Sequence, residues 1–67
     1  MTLYELIALI DADETVHIID DVNVKTLFFG KLRNVYSELE ETVIKTKKVN
    51  RIYSGFGGMC IDTVESR

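Results

Sequence analysis

The chain has 67 residues, a formal net charge of −3 and a hydrophobic share of 46%. This length fits one domain, residues 1–67, and the apolar share is too high for a disordered chain. The longest apolar stretch, residues 6–10, is far too short to span a bilayer, and no basic segment of the secretory type stands at the N-terminus. The single cysteine, Cys60, fits a reducing compartment and is expected to be buried in a strand. We therefore expect a cytoplasmic protein with no membrane partner.

The charges are distributed unevenly along the sequence. The first 24 residues contain six carboxylates and no Lys or Arg, whereas the rest of the chain contains eight basic and five acidic residues. The two segments have charges of −6 and +3 (8 − 5), which sum to −3. A layout of this kind influences which charged partners a small protein attracts.

The first half of the chain predicts a helix followed by a hairpin. Thr2 and Glu5 have the spacing of a helix capping box, which opens a predicted helix over residues 2–10. The apolar stripe of this helix consists of Leu3, Leu6, Ile7 and Ile10. A strand is predicted at Val16–Asp20, and a second one within Val24–Val35, strongest at residues 26–29, pairs with it in antiparallel fashion. Gly30 indicates a bulge or a close backbone approach.

The second half predicts a short helix and the remaining strands. Ser37 and Glu40 repeat the capping-box spacing and predict a short helix at residues 37–41. Further strands are predicted at Thr42–Thr46 and Val49–Tyr53, with a bend or bulge at Lys47 and Lys48, and at Met59–Val64 after a turn at Ser54–Gly58. The fold class is α+β: an N-terminal helix packed on a small, mainly antiparallel sheet of four to five strands. A partly closed barrel is the variant.

Two motifs resemble ligand-binding loops, and each lacks a required part. The run from Asp11 through Asp13 begins like a calcium loop, but Val16 and Val22 stand where that loop needs Gly and Glu. The glycines of Gly55–Gly58 resemble part of a phosphate loop, but a strand follows them instead of a helix. We interpret the first as an acidic turn and the second as a hairpin turn with positive φ.

No arrangement of residues indicates an enzyme, a metal site or a bound cofactor. His17 is the single histidine and has no second ligand at metal spacing. The carboxylates cluster in turns, where no apolar cleft would raise a pKa. An alternative ligand- or partner-binding group is formed by Lys45, Lys47, Lys48, Arg51, Tyr53 and Phe56. The ordinary meaning of such a basic run is a strand edge guarded by lysine, and the net negative charge argues against direct contact with nucleic acid.

The whole chain resembles a loose group of very short phage and prophage proteins of Gram-positive bacteria. The motifs that carry the resemblance are Met1–Ile7, Val16–Asp20, Gly30–Leu32, Tyr36–Leu39 and the closing segments Val49–Tyr53 and Met59–Val64. The resemblance implies an accessory gene product. Some small phage proteins inhibit host defence by binding a nuclease or a signalling nucleotide. It implies no catalytic residues.

The leading hypothesis is a non-catalytic inhibitor of a host defence protein, of the anti-CRISPR kind. Its partner-binding residues are predicted to be Asp11, Asp13, Glu14, Asp20 and Asp21. Carboxylates can occupy a groove that evolved for phosphates, because its Lys and Arg side chains attract both anions. Two alternatives are an oligomer that sequesters a signalling nucleotide and a structural or regulatory phage component. Self-association is expected, because the hydrophobic content and an unpaired strand edge favour it.

Overall fold

A computed structural model describes residues 1–55 and 57–65. Its helices are α1 (Leu3–Ile7), a 3-10 turn (Leu32–Asn34), α2 (Val35–Glu38) and α3 (Glu41–Thr46), and its strands are β1 (Thr15–Asp20), β2 (Lys25–Lys31), β3 (Lys47–Gly55) and β4 (Gly58–Glu65). The predicted α+β class is confirmed. None of the described helices is long and apolar enough to cross a membrane.

The described strands form one open, mixed sheet in the order β2-β1-β4-β3. β1 pairs with β2 and β3 pairs with β4 in antiparallel fashion, but the central pair, β1 with β4, is parallel. A parallel pair needs a long crossover, and here the intervening β2, helices and β3 supply it. The sheet does not close, so the barrel variant is wrong.

Helix α1 begins as the sequence predicts and ends earlier. The Thr2 hydroxyl accepts from the backbone N–H of Glu5, and the Glu5 carboxylate accepts from the Thr2 N–H, completing the capping box. The Glu5 carboxylate accepts from the Thr2 N–H and from the Thr2 hydroxyl, and these two bonds lower the pKa of Glu5, the backbone bond most. After Ile7 the backbone forms turns that bond to the third residue back, so the predicted helix over residues 2–10 is too long. The apolar stripe is nevertheless in the core, with Ile10 at its edge.

The segment Thr42–Thr46 belongs to a helix, which corrects the predicted strand. Its β-branched residues favour strands by propensity, but such propensities are weak beside tertiary packing. In α3, Ile44 is fully buried in the core beside α1, and Glu41 pairs with Lys45 one turn later. The Thr46 hydroxyl donates to the Thr42 carbonyl, which satisfies it within the helix.

The second capping-box prediction is also wrong in position. The helix spans Val35–Glu38, so Ser37 lies inside it instead of capping it, and its hydroxyl donates to the Asn34 carbonyl. Val35 is the buried residue that fixes the placement of this helix.

The turn that joins β3 to β4 fits the glycine pattern. Gly57 has a φ of 76°, the positive-φ conformation expected in this turn. Gly58 begins β4, and a Cβ there would lie 2.2 Å from the Thr15 carbonyl oxygen. The described bulges lie between Ile18 and Ile19 in the β1–β2 pairing and between Val49 and Arg51 in the β3–β4 pairing. At Lys47, where a bend or bulge was predicted, α3 is followed directly by β3, and Gly30 has a φ of 152° within β2.

The core lies on one face of the sheet. Val16, Ile18 and Ile61 point to this inner face and pack with apolar residues of the helices. Because side chains alternate along a strand, the residues between them point to the opposite face, which we call the outer face.

Candidate functional site

The predicted acidic group occupies two separate places. Asp11, Asp13 and Glu14 precede β1, whereas Asp20 and Asp21 lie at its other end. A six-residue strand separates them, which is roughly 20 Å of extended chain. The five carboxylates therefore do not form one surface.

The first three form what we call the acidic turn, residues 11–14. The Asp13 N–H donates to Asp11 Oδ1 at 2.9 Å, and the Glu14 N–H donates to the Asp11 carbonyl at 3.0 Å. Backbone bonds from the segment after β2 hold the turn from outside, with the Arg33 N–H donating to the Ala12 carbonyl at 3.0 Å. Arg33 also pairs with the Asp13 carboxylate. The acidic turn is thus exposed but anchored, with two carboxylates beyond the single described ion pair.

Asp20 is buried and is used inside the fold. Its carboxylate accepts from the Val22 N–H, from the Asn23 backbone and side chain, and from Lys47 Nζ at 3.4 Å. These interactions lower the pKa of Asp20, the Asn23 side-chain bond most of all. Asp21 accepts from the Asn50 side chain at 3.0 Å, so the bulge residue of β3 ties this turn down. Lys47 of β3 thus pairs with Asp20, and the neutral Asn50 side chain of the same strand holds Asp21.

The basic group is dispersed. Lys45 lies on α3, where it pairs with Glu41 and lies 5.7 Å from the Tyr4 ring centre. Lys47 points inward between Asp20 and Glu65. Lys48, Arg51 and Tyr53 are brought together on the outer face, and Phe56 lies outside the described residues.

Arg51 and Tyr53 converge on a buried carboxylate that no sequence pattern singles out. Asp62 is 2% exposed, and its Oδ2 accepts from Arg51 Nε at 3.0 Å and Nη2 at 2.8 Å. The Tyr53 hydroxyl donates to Asp62 Oδ1 at 3.3 Å. The bonds to Asp62 raise the pKa of Arg51, and burial together with the Asp62 charge raises the pKa of Tyr53. The alternation of polar and apolar residues in Met59–Val64 and in Arg51–Tyr53 places Asp62, Arg51 and Tyr53 on strand faces. Only the strand register shows that the two segments are neighbours.

An aromatic row crosses the outer face. The register places Phe29 opposite His17, His17 beside Cys60, and Cys60 opposite Tyr53. These four side chains, three of them aromatic, form one row over all four strands, which we call the aromatic row. The Phe29 and His17 rings are 5.2 Å apart, and the His17 Nε2 is 2.8 Å from the Thr26 hydroxyl. Cys60 is fully buried, as its sequence context predicted. Lys31 lies beside this row on β2.

Ligand sites of the enclosed kind are not found in the part of the chain that the structure describes. Residues 1–55 and 57–65 contain no group of three or more His, Cys, Asp or Glu side chains placed to hold a metal ion, and no cavity is found. The candidate surfaces are therefore the acidic turn and the outer face. No protein-family model, curated protein or solved structure matches the chain.

Proposed function

We propose that this chain is a non-catalytic, phage-type binding protein that inhibits a host defence protein in the bacterial cytoplasm, and that the acidic turn is its main contact. The observation that carries the proposal is the exposure of Asp11, Asp13 and Glu14 on a backbone fixed by hydrogen bonds. The resemblance to short phage accessory proteins supplies the defence context.

A fixed turn is suited to this role. Binding that requires no ordering of the loop avoids part of the conformational entropy loss on association. Carboxylates held at one end of the sheet present a local negative field to a groove lined by Lys and Arg, and this field accelerates encounter at low salt. Asp20 and Asp21 contribute by holding the opposite turn, since Asp20 is internally bonded.

The test uses two matched pairs of substitutions. Asp11→Asn with Glu14→Gln removes two charges from the acidic turn, and Asn can still accept the Asp13 N–H. Glu38→Gln with Glu40→Gln removes two exposed charges from the helical side of the molecule. Both variants have the same net charge, so a difference between them reports position and not overall charge.

The readout is protection of phage or plasmid DNA in cells that express a CRISPR nuclease of a Gram-positive host. We expect the Asp11/Glu14 variant to lose most of the protection and the Glu38/Glu40 variant to keep it, because charges at the contact set the association rate. Equal activity of the two folded variants would exclude the acidic turn as the contact. Absence of protection by the unmodified chain against a panel of such nucleases would contradict the inhibitor proposal itself.

The alternative function, sequestering a signalling nucleotide, depends on the basic group, and only part of that group lies on one surface. Lys45 and Lys47 are engaged with carboxylates away from the outer face, which leaves Lys48, Arg51 and Tyr53. Arg51 and Tyr53 are themselves bonded to Asp62, so Lys48 is the member of these three that has no described carboxylate partner.

A further inference from the structure

The outer face has a charge opposite in sign to that of the whole chain. Of the strand carboxylates Asp20, Asp62 and Glu65, only Asp62 points to this face, and Arg51 covers it. The strands place Lys31, Lys48 and Arg51 on the same face. Asp21 lies beside this face, held by Asn50 and close enough to Arg51 for their charges to interact. The local charge is therefore +1 (three cations and two carboxylates), against −3 for the chain.

Lys31 lies opposite Thr15 at the start of β1 and Lys48 lies opposite Val64 beyond its end, so the register puts these two cations at least about 20 Å apart. The Debye length is only about 8 Å at physiological salt, so a bound anion responds mainly to the cation nearest to it.

The same face exposes flat aromatic side chains. Phe29 is 59% exposed and Tyr53 is 37% exposed, although both are large rings on a folded sheet. They stand at opposite ends of the aromatic row, three strand spacings or about 14 Å apart. The Arg51 guanidinium lies 4.9 Å from the centre of the Tyr53 ring, which adds a second planar surface at that end.

The positive charge and the exposed rings of the outer face favour one kind of ligand over others. A second copy packed face to face would bring the same cations together, which opposes association. An acidic peptide would satisfy the lysines but would not use the exposed rings. Duplex nucleic acid keeps its bases stacked within the helix, out of reach of Phe29 and Tyr53. A single strand supplies both phosphates for the lysines and free bases for the rings.

We infer that the outer face binds a short stretch of single-stranded nucleic acid, with bases stacking at Phe29 and Tyr53 and phosphates meeting Lys31 and Lys48. This inference is independent of the acidic turn and goes beyond the proposed inhibition. The net negative charge makes the interaction weak and strongly dependent on salt, because the acidic surfaces repel the rest of the strand.

The test is fluorescence anisotropy with labelled pyrimidine DNA and RNA of about 12 nucleotides, titrated with the intact chain at low salt. We expect saturable binding of single strands and little binding of a duplex of the same length. Phe29→Ala should weaken the affinity at least about fivefold through lost stacking. The matched control is Tyr36→Ala, which removes an exposed ring from α2 and should leave the affinity unchanged.

A charge pair tests the phosphate contacts. Lys31→Gln with Lys48→Gln should reduce the slope of log affinity against log salt by about 1.4, because two phosphate contacts on a single strand are lost. Lys25→Gln with Lys45→Gln removes two cations from elsewhere and should leave the slope nearly unchanged. Folding of every variant is checked by its thermal transition.

Several results would overturn the inference. These are no saturable binding of single strands at low salt, equal binding of the duplex, or equal losses in the target and control variants. Polyglutamate that displaces the oligonucleotide and binds Phe29→Ala as tightly as the unmodified chain would assign the face to an acidic protein segment. The Asp11/Glu14 variant should keep oligonucleotide binding, so failure of the inhibitor proposal and failure of this one are distinguishable.

Discussion

Individual carboxylates in this small fold have different structural roles, and the sequence does not show which of them are buried and bonded. Asp20 and Asp21 are adjacent and chemically identical, yet one is buried in a network of donors and the other is exposed with a single described donor from Asn50. Asp62 carries no mark in the sequence that distinguishes it from other strand residues, and it anchors both Arg51 and Tyr53. Burial and partners, which follow from strand register, decide which carboxylate is structural.

The lowered pKa of Asp20 predicts acid sensitivity. Its pKa in the folded chain lies below its unfolded value, so the stabilisation is fully present above the unfolded pKa of about 3.9 and is lost as the pH falls through the folded value. Asp20→Asn should therefore unfold at lower urea concentration than the unmodified chain at pH 7, and the difference should shrink below about pH 4.

The matched control is Asp21→Asn, because Asp21 is the exposed neighbour and makes one described side-chain hydrogen bond. We expect this variant to have nearly unchanged stability at pH 7. The measurement is urea unfolding at pH 7, 5 and 3. A stability loss for Asp20→Asn that is the same at all three values would show that the lost interaction does not depend on the carboxylate charge.

At the scale of elements, the sequence predicts secondary structure best for segments with a periodic apolar pattern. Such a pattern is either alternation along a strand or a stripe along a helix. The hairpin of β1 and β2, the closing strand β4 and the α1 stripe were predicted, because each carries its own periodic pattern. The segment Thr42–Thr46 was assigned wrongly, because its β-branched residues favour a strand and the decisive contact, burial of Ile44, comes from outside the segment. The parallel pairing of β1 with β4 could not be predicted, since no local pattern indicates which strands become neighbours.

The α1 stripe gives a prediction with an internal control. Leu6 is 7% exposed in the core and Leu9 is 75% exposed, although both lie in the same short segment. Leu6→Ala should lower the free energy of unfolding by about 2–5 kcal/mol, which is a large part of the stability of so small a domain. Leu9→Ala should change it by less than about 0.5 kcal/mol. Equal thermal transitions for the two variants would show that α1 does not pack on the sheet.

At the scale of the whole molecule, the acidic first third and the basic remainder of the sequence contribute to different surfaces, the acidic turn and the outer face. Lys47 and Asn50 reach the far end of β1 and engage Asp20 and Asp21, whereas Asp11 and Glu14 of the acidic turn are exposed and have no described ion pair. The outer face gathers basic and aromatic residues from β2 and β3, two strands that are distant in sequence. The candidate site could be predicted only in its parts, since Arg51 and Tyr53 were selected but Asp62, Phe29 and Lys31 gain their meaning from register.

Self-association is the last property that belongs to this scale, and the sheet edges indicate where it would occur. The β2 edge is flanked by Lys25 and Lys31, a pattern that discourages pairing. The first part of β3 is covered by the N-terminus, since the Val49 N–H donates to the Met1 carbonyl at 2.9 Å and Thr2 bridges to Lys48.

The remaining part of β3, from Arg51 to Gly55, is the edge at which we expect antiparallel pairing of two copies, and there Ile52 is 45% exposed. Such a two-fold dimer would extend the sheet and keep both outer faces on one side. Sedimentation at micromolar concentration should show a dimer for the unmodified chain, a monomer for Ile52→Lys, and a dimer for the control Val22→Lys, whose exposed side chain lies in the β1–β2 turn. A stable monomer of the unmodified chain would show that the free edge of β3 does not pair.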